Sequence, residues 1–249
     1  MRTNNTKNIS LKKGLHVAIV TSTRPGYGGS LLAFETYISC KISGIPAILA
    51  TYDVTKAYPS IGSDLRRLAT NGGQAEGGST SQTPESLILL IAEAKENNAM
   101  LIIDIKSGNE GEAALNEVAE VISLTGADTI IGLVPALHGM DTEFRKLDML
   151  NISFTSVMLR YWGFRSPDIA PEAPMGQVCH HWRPGFLSTE MLDLILNFPL
   201  PLLKNVSDPE IYISESETPI KNVKSYIEKA HSAFYEAILD DLADRDRVM

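Results

Sequence analysis

The sequence predicts a three-layer α/β fold, a mainly parallel central sheet flanked by helices, within one domain spanning residues 1–249. Three observations carry that expectation. Short apolar runs rich in β-branched residues alternate with longer segments of helical periodicity. The first of these closes a strand, glycine-rich loop, helix and strand within about 40 residues, the size and order of a βαβ unit with its right-handed crossover. No internal repeat and no second core interrupts the alternation, and a chain of 249 residues lies near the upper end of what one core supports.

Behind a polar arm over 1–14, LHVAIVTS (Leu15 to Ser22) reads as a buried first strand ending at the Gly/Pro cluster RPGYGG. SLLAFETYISCKIS carries apolar residues at helical spacing and stops at Gly44, a helix terminator, before IPAILATYD forms a second strand. ESLILLIAEAKENN is an amphipathic helix that the sequence opens with Thr83 as N-cap and Pro84 at the first helical position. AMLIIDIKSG is a third strand and GEAALNEVAEVISLTG a helix ending at Gly126. DTIIGLVPAL follows as a fourth strand, MDTEFRKLDMLN as a helix and ISFTSVMLRYWG as a fifth strand.

Farther along, RSPDIAPEAPMG is a loop, MLDLILNF a short helix and PLPLLKNV a short extended segment. A long amphipathic helix from about Thr218 to Asp244, within 218–249, places Tyr226, Ile227, Phe234, Ile238 and Leu239 at near-helical spacing for packing on the domain. LRRLATNGGQAEGGSTSQT is read as a loop, either a mobile switch or a plain surface connection, because its glycines and small polar residues bury little apolar area.

A composition of 44% hydrophobic and 21% charged residues suits a packed globular core. No apolar run reaches the length of a bilayer span and the opening MRTNNTKNISLKK lacks an apolar signal core, so a cytoplasmic protein with no membrane association is expected. The formal net charge of −8 disfavours non-specific DNA binding, since its long-range field repels phosphate backbones. Cys40 and Cys179 stand far apart without CxxC spacing and are read as small buried or partly buried side chains. There is no GxSxG elbow and no HExxH. Adjacent His180 and His181, followed by Trp182, make a poor bidentate metal pair and are read as a surface or interface cluster of undefined role.

TSTRPGYGGSLLA follows the first strand and opens the first helix, where backbone N–H groups and a helix N-terminus can face phosphate. A tight steric turn with no ligand is the other reading of such a loop. RPGYGGS resembles the deviant Walker A loop of the ParA/MinD family of P-loop NTPases, whose pattern is KGGxGK[ST]. The resemblance puts Arg24 at the signature lysine, Gly26 and Gly28 at the glycines, Gly29 at the phosphate lysine and Ser30 at the magnesium hydroxyl, with Leu31 in the same nucleotide-binding turn. It extends in element order over roughly the first 165 residues and in specific motifs over about 30 of them.

On the same resemblance, Asp104 in MLIIDIKSG corresponds to the aspartate that holds magnesium through water. Asp53 in ILATYDVTKAYPS corresponds to the residue that positions the attacking water, and Arg24 joins it as a catalytic candidate. LVPALHGMDTEF, with Pro135 and Asp141, loosely echoes the family's strand ending in a Pro-containing loop, and Arg160 or Tyr161 could contact adenine. The implied cofactor is ATP or ADP with Mg²⁺. Glycine at position 29 removes a charge that stabilises bound triphosphate and transition state alike, so hydrolysis is expected to be very slow or absent.

The implied protein is a degenerate, P-loop NTPase-like homodimer with a protein partner in plasmid or chromosome partition, conjugative transfer or positioning of a cellular machine. Two alternatives stay open: an active ATP-dependent enzyme in which Arg24 or Lys56 replaces the missing lysine, and a structural protein-binding module without nucleotide.

Overall fold

The computed structural model describes residues 11–21, 28–53, 65–68, 86–105, 107, 109–136, 152–161 and 178–182, and in the C-terminal stretch residues 225, 229, 231, 232 and 234. Apolar β-branched runs form five-residue strands β1 (His16–Val20), β2 (Ala47–Thr51) and β4 (Met100–Asp104), all buried on both faces. Strands β3 (Leu65–Arg67), β5 (Thr129–Ala136), β6 (Ser156–Tyr161) and β7 (Val178–Trp182) complete a seven-stranded sheet in the order β3-β2-β4-β1-β5-β6-β7, and every pairing is parallel. Continuous burial of the central strands is what a parallel sheet covered on both faces requires.

Helices α1 (Gly29–Ile42), α2 (Leu87–Glu96) and α3 (Asn109–Thr125) supply the outer layers. Leu15, Val17 and Ile19 of β1 and its approach, with Ile48, Ala50, Leu101 and Ile103, share one apolar cluster with Leu90, Ile91 and Ala94 of α2 and Ala114, Val118 and Ile122 of α3. No residue of α1 belongs to that cluster, while α1 packs over β4, β2, β5 and β1. Strand side chains alternate between faces, so α1 covers the side onto which Ala18, Val20, Leu49 and Ile102 project. The connections β1-α1-β2 and β4-α3-β5 cross the sheet in opposite directions, and right-handed crossovers therefore send α1 and α3 to opposite faces. The result is a three-layer α/β architecture around an all-parallel sheet.

Two helices end in the same way. At α1, Ser43 is the C-cap, Gly44 takes φ +75°, and the amides of Ile45 and Gly44 donate to the carbonyls of Cys40 and Lys41. At α2 the left-handed position falls to Asn98 (φ +48°), with Ala99 and Asn98 donating to Ala94 and Lys95. Both are Schellman closures, using the residue types that tolerate that backbone. Helix α1 is buried without interruption from Leu32 to Cys40, so it is covered on the side away from the sheet as well. Helical His231 contributes there, its Nδ1 lying 3.5 Å from Ser43 Oγ.

Several expectations change. LRR, read as the start of a loop, forms β3, a three-residue edge strand whose two arginines hid its periodicity. CHHW, given no secondary structure from the sequence, lies in the edge strand β7. Pro135 stands inside β5 in register with Arg160, close to the strand end where a missing N–H is tolerated. Helix α2 starts at Leu87 after Ser86 in extended backbone, beyond the Thr83 and Pro84 start. Thr83, Pro84 and Asp141 lie outside the described residues, as do the segments read as MDTEFRKLDMLN, MLDLILNF and PLPLLKNV.

Candidate functional site

In an open parallel sheet, ligands gather outside the carboxyl ends of the strands, where connections diverge to opposite faces. That point lies at the ends of β1 and β4, because β1 leaves toward β2 through α1 while β4 leaves toward β5 through α3. The registers set one row of residues across this edge: Arg67, Thr51, Asp104, Val20 and Leu133 on β3, β2, β4, β1 and β5. Asp104 therefore closes the strand beside β1, on the face that α1 covers.

Helix α1 begins at the same edge. Its N-cap is Gly28 in left-handed backbone (φ +83°, ψ +13°), a residue with no side chain of its own to cap the first turn. A glycine in this position leaves the helix N-terminus open toward an anion, where a serine or aspartate would fold its own oxygen onto the first-turn amides. Gly29, Ser30 and Leu31 form that first turn, and Leu32 N–H donates to the Gly28 carbonyl at 2.9 Å.

Asp104 is 2% exposed and Asp53 is 7% exposed, so both carboxyl groups sit at the covered floor of the edge. Thr51 joins them. Its Oγ1 donates to Asp104 Oδ2 at 3.3 Å and accepts from the Asp53 amide at 3.0 Å. The Tyr52 amide donates to the Asp104 carbonyl at 3.1 Å, which extends the β2–β4 ladder one step past the strand ends. A buried carboxylate is costly unless its oxygens are hydrogen-bonded or face a cation, and the Thr51 hydroxyl supplies one such donor.

One residue further, on the opposite face, Thr21 and Tyr52 sit beside Ile105 by continuation of the register. Thr21 Oγ1 and the Tyr52 hydroxyl are buried and have no hydrogen-bond partner among the described residues. Burial, and secondarily the charge of Glu117, holds the Tyr52 phenol well above its ordinary range.

Of the residues singled out from sequence, the structure brings together Gly28, Gly29, Ser30, Leu31, Asp53 and Asp104 at this edge. Arg24, Gly26 and Lys56 lie outside the described residues. Arg160 is in β6, two residues past Met158, which is in register with Leu133, and therefore beyond the row and two strands from β1. Thr51 escaped the sequence reading. A threonine two residues before an aspartate is too common to stand out, and only the β2–β4 register shows what it bridges.

Cys40 is a free cysteine buried in α1, and burial pushes its thiol up to about 12 with slight opposition from Lys41. Among the described residues no cluster of three or more His, Cys, Asp or Glu side chains could hold a metal on its own. No described helix is long and apolar enough to cross a membrane.

No family model and no curated protein matches the chain. Among solved structures it is similar to a nucleotide-binding protein from Archaeoglobus fulgidus, determined in complex with ADP and with Co. That similarity is at 13% identity and a TM-score of 0.38, over 72% of this chain and 85% of that one. A TM-score at that level carries no argument about function.

Proposed function

We propose that this chain is a degenerate nucleotide-binding protein of the ParA/MinD kind, which takes ATP or ADP with Mg²⁺ at the open end of α1 and hydrolyses it very slowly or not at all. The observation that carries the reading is the placement of Asp104. A buried carboxylate ends the strand next to β1, on the face of the helix whose glycine N-cap opens to the same edge.

These residues fit the group. The first-turn backbone of Gly29, Ser30 and Leu31 would receive phosphate oxygens, and the Ser30 hydroxyl and Asp104 carboxylate would hold the cation, Asp104 through water. When bound, Mg²⁺ would neutralise phosphate charge. The chain's own part is to keep the Asp104 carboxylate in place through Thr51 and to present Asp53 beside it. Glycine at position 29 leaves the loop without its lysine, which weakens phosphate binding and withdraws stabilisation from any transfer reaction. A protein of this type serves as an adaptor, a homodimer with Arg24 near its interface, in partition, conjugative transfer or positioning of a cellular machine.

Calorimetric titration with ATP, ADP and a non-hydrolysable analogue, each with Mg²⁺, tests the reading on the wild type, Arg24→Ala and Gly29→Lys. Saturable binding that weakens in Arg24→Ala and tightens in Gly29→Lys supports it. No binding by the wild type at several millimolar nucleotide overturns it in favour of a structural module.

A further inference from the structure

Helix α2 begins with an unbroken apolar run, LILLIA over 87–92, although a helix lying on a sheet needs only one apolar stripe. Leu87, Leu90 and Ile91 form that stripe and are buried in the core. Ile88 and Leu89 are 58% and 66% exposed, and Ala92, one turn on, is exposed as well. The other large apolar side chain exposed among the described residues is Leu124 of α3, at 80%. All three thus belong to one outer layer, on the side of the sheet away from α1. Single apolar residues on a surface need no explanation, but neighbours gathered on one layer mark a place where another molecule docks.

The geometry joins them into one face. Helices α2 and α3 each return from the carboxyl edge of the parallel sheet to its opposite edge, so they lie side by side and run the same way. Lys95 Nζ donates to the Thr125 carbonyl at 3.0 Å, which sets Thr125 about level with Lys95. Ile88 is two turns from Lys95 on the same flank of α2, the flank toward α3. By the same offset, exposed Glu120 of α3 stands about level with the turn that holds Ile88 and Leu89. Exposed Glu96 lies two turns beyond Leu89 on the same stripe.

Charge decides what can cover this face. Two glutamates in α2 and four in α3 stand against one lysine, Lys95, whose ammonium is engaged with the Thr125 carbonyl. A second copy seated face to face would set glutamate against glutamate, and an anionic membrane or a nucleic acid would be repelled. An amphipathic helix with Lys or Arg beside its apolar stripe suits both features. Its apolar side chains would cover Ile88, Leu89 and Leu124 while its cations lie over Glu96 and Glu120.

We propose that the outer face of α2 and α3 is a docking surface for a basic amphipathic helix of a partner protein. It does not rest on the nucleotide reading, whose site lies on the face that α1 covers.

The test is fluorescence anisotropy of a labelled synthetic amphipathic helix of leucine and lysine, titrated with the full chain. The proteins compared are the wild type, the pair Ile88→Ser with Leu89→Ser, and the pair Glu96→Lys with Glu120→Lys. Wild type should bind one helix saturably, less tightly as salt rises, and each double variant should lose about tenfold or more in affinity. A leucine/glutamate helix and a serine/lysine helix should not bind. No saturable binding overturns the proposal, as does equal affinity of the Ile88→Ser, Leu89→Ser pair, which puts the helix elsewhere. Equal binding of the serine/lysine helix overturns it in favour of charge alone. Sedimentation of the ligand-free proteins is run alongside: wild-type dimers that the Ile88→Ser, Leu89→Ser pair dissolves give the face to a second copy and overturn it too. All these positions are exposed, so thermal midpoints should stay close to wild type; if the Ile88→Ser, Leu89→Ser pair does not fold, Leu124→Lys carries the comparison.

Discussion

The Thr51 hydroxyl donates to Asp104 Oδ2 at 3.3 Å, across the boundary between β2 and β4, while Thr51 Oγ1 accepts from the Asp53 amide at 3.0 Å. One small side chain thus ties the two candidate acids to a common point on the sheet edge. Thr51→Val keeps the shape and removes both bonds. It is expected to lose about 1–3 kcal/mol in urea unfolding, because a buried amide and carboxylate oxygen lose their partner. Thr51→Ser should recover most of this.

If Asp104 holds the cation, Asp104→Asn should leave Mg²⁺-free nucleotide binding unchanged and abolish the gain that Mg²⁺ brings. Titrations with and without EDTA read this directly. An unchanged Mg²⁺ response in the variant would remove Asp104 from the site.

His231 packs beside Ser43, and burial lowers its pKa below the usual 6.5, against a smaller upward effect of its bond to the Ser39 backbone. The unfolded chain therefore takes up the proton more readily, and the folded state loses stability as pH falls below about 6.5, levelling off only below the folded-state value. Urea midpoints between pH 5 and 8 should show that slope, and His231→Gln should flatten it.

Cys40, buried and with its thiol pushed up to about 12, should be inert in the native protein. In a Cys179→Ser background, reaction with a thiol reagent at pH 8 should be slower than in the urea-unfolded chain by a factor on the order of a hundred. Comparable rates would show that α1 is open to solvent.

Gly14 precedes β1 with φ +153°, and a Cβ there would collide with the Asp128 carboxylate that accepts the Leu15 amide at 2.8 Å. Gly14→Ala should cost roughly 2–3 kcal/mol. Adding Asp128→Ala should cost less than the sum of the single changes, because the two share one contact.

The central strands and their helices were legible because each is long and apolar enough to show its period. HVAIV, MLIID and TIIGLV all lie in the sheet, and Gly44 and Gly126 close their helices with φ +75° and +65°. The edges were not. Leu65–Arg67 has three residues and two charges, too little for a periodic signal, and Val178–Trp182 presents two histidines where β-branched residues would announce a strand. Asp104 and Asp53 were singled out through the family resemblance, which matches each to an aspartate following an apolar strand. Thr51 could not be, since its relevance depends on which strands lie side by side, and β2 meets β4 across nearly 50 residues of chain.

The sheet order has a consequence for synthesis. Strand β1 leaves the ribosome early, but its two neighbours are β4 and β5, which end at Asp104 and Ala136. At about 5–20 residues per second, this buried, β-branched strand of the nascent chain waits several seconds with both backbone edges unsatisfied. Strand β2 cannot relieve it, because β4 must enter between them. The nascent N-terminal hundred residues are thus a natural substrate for chaperones, and truncations that stop short of β4 should aggregate.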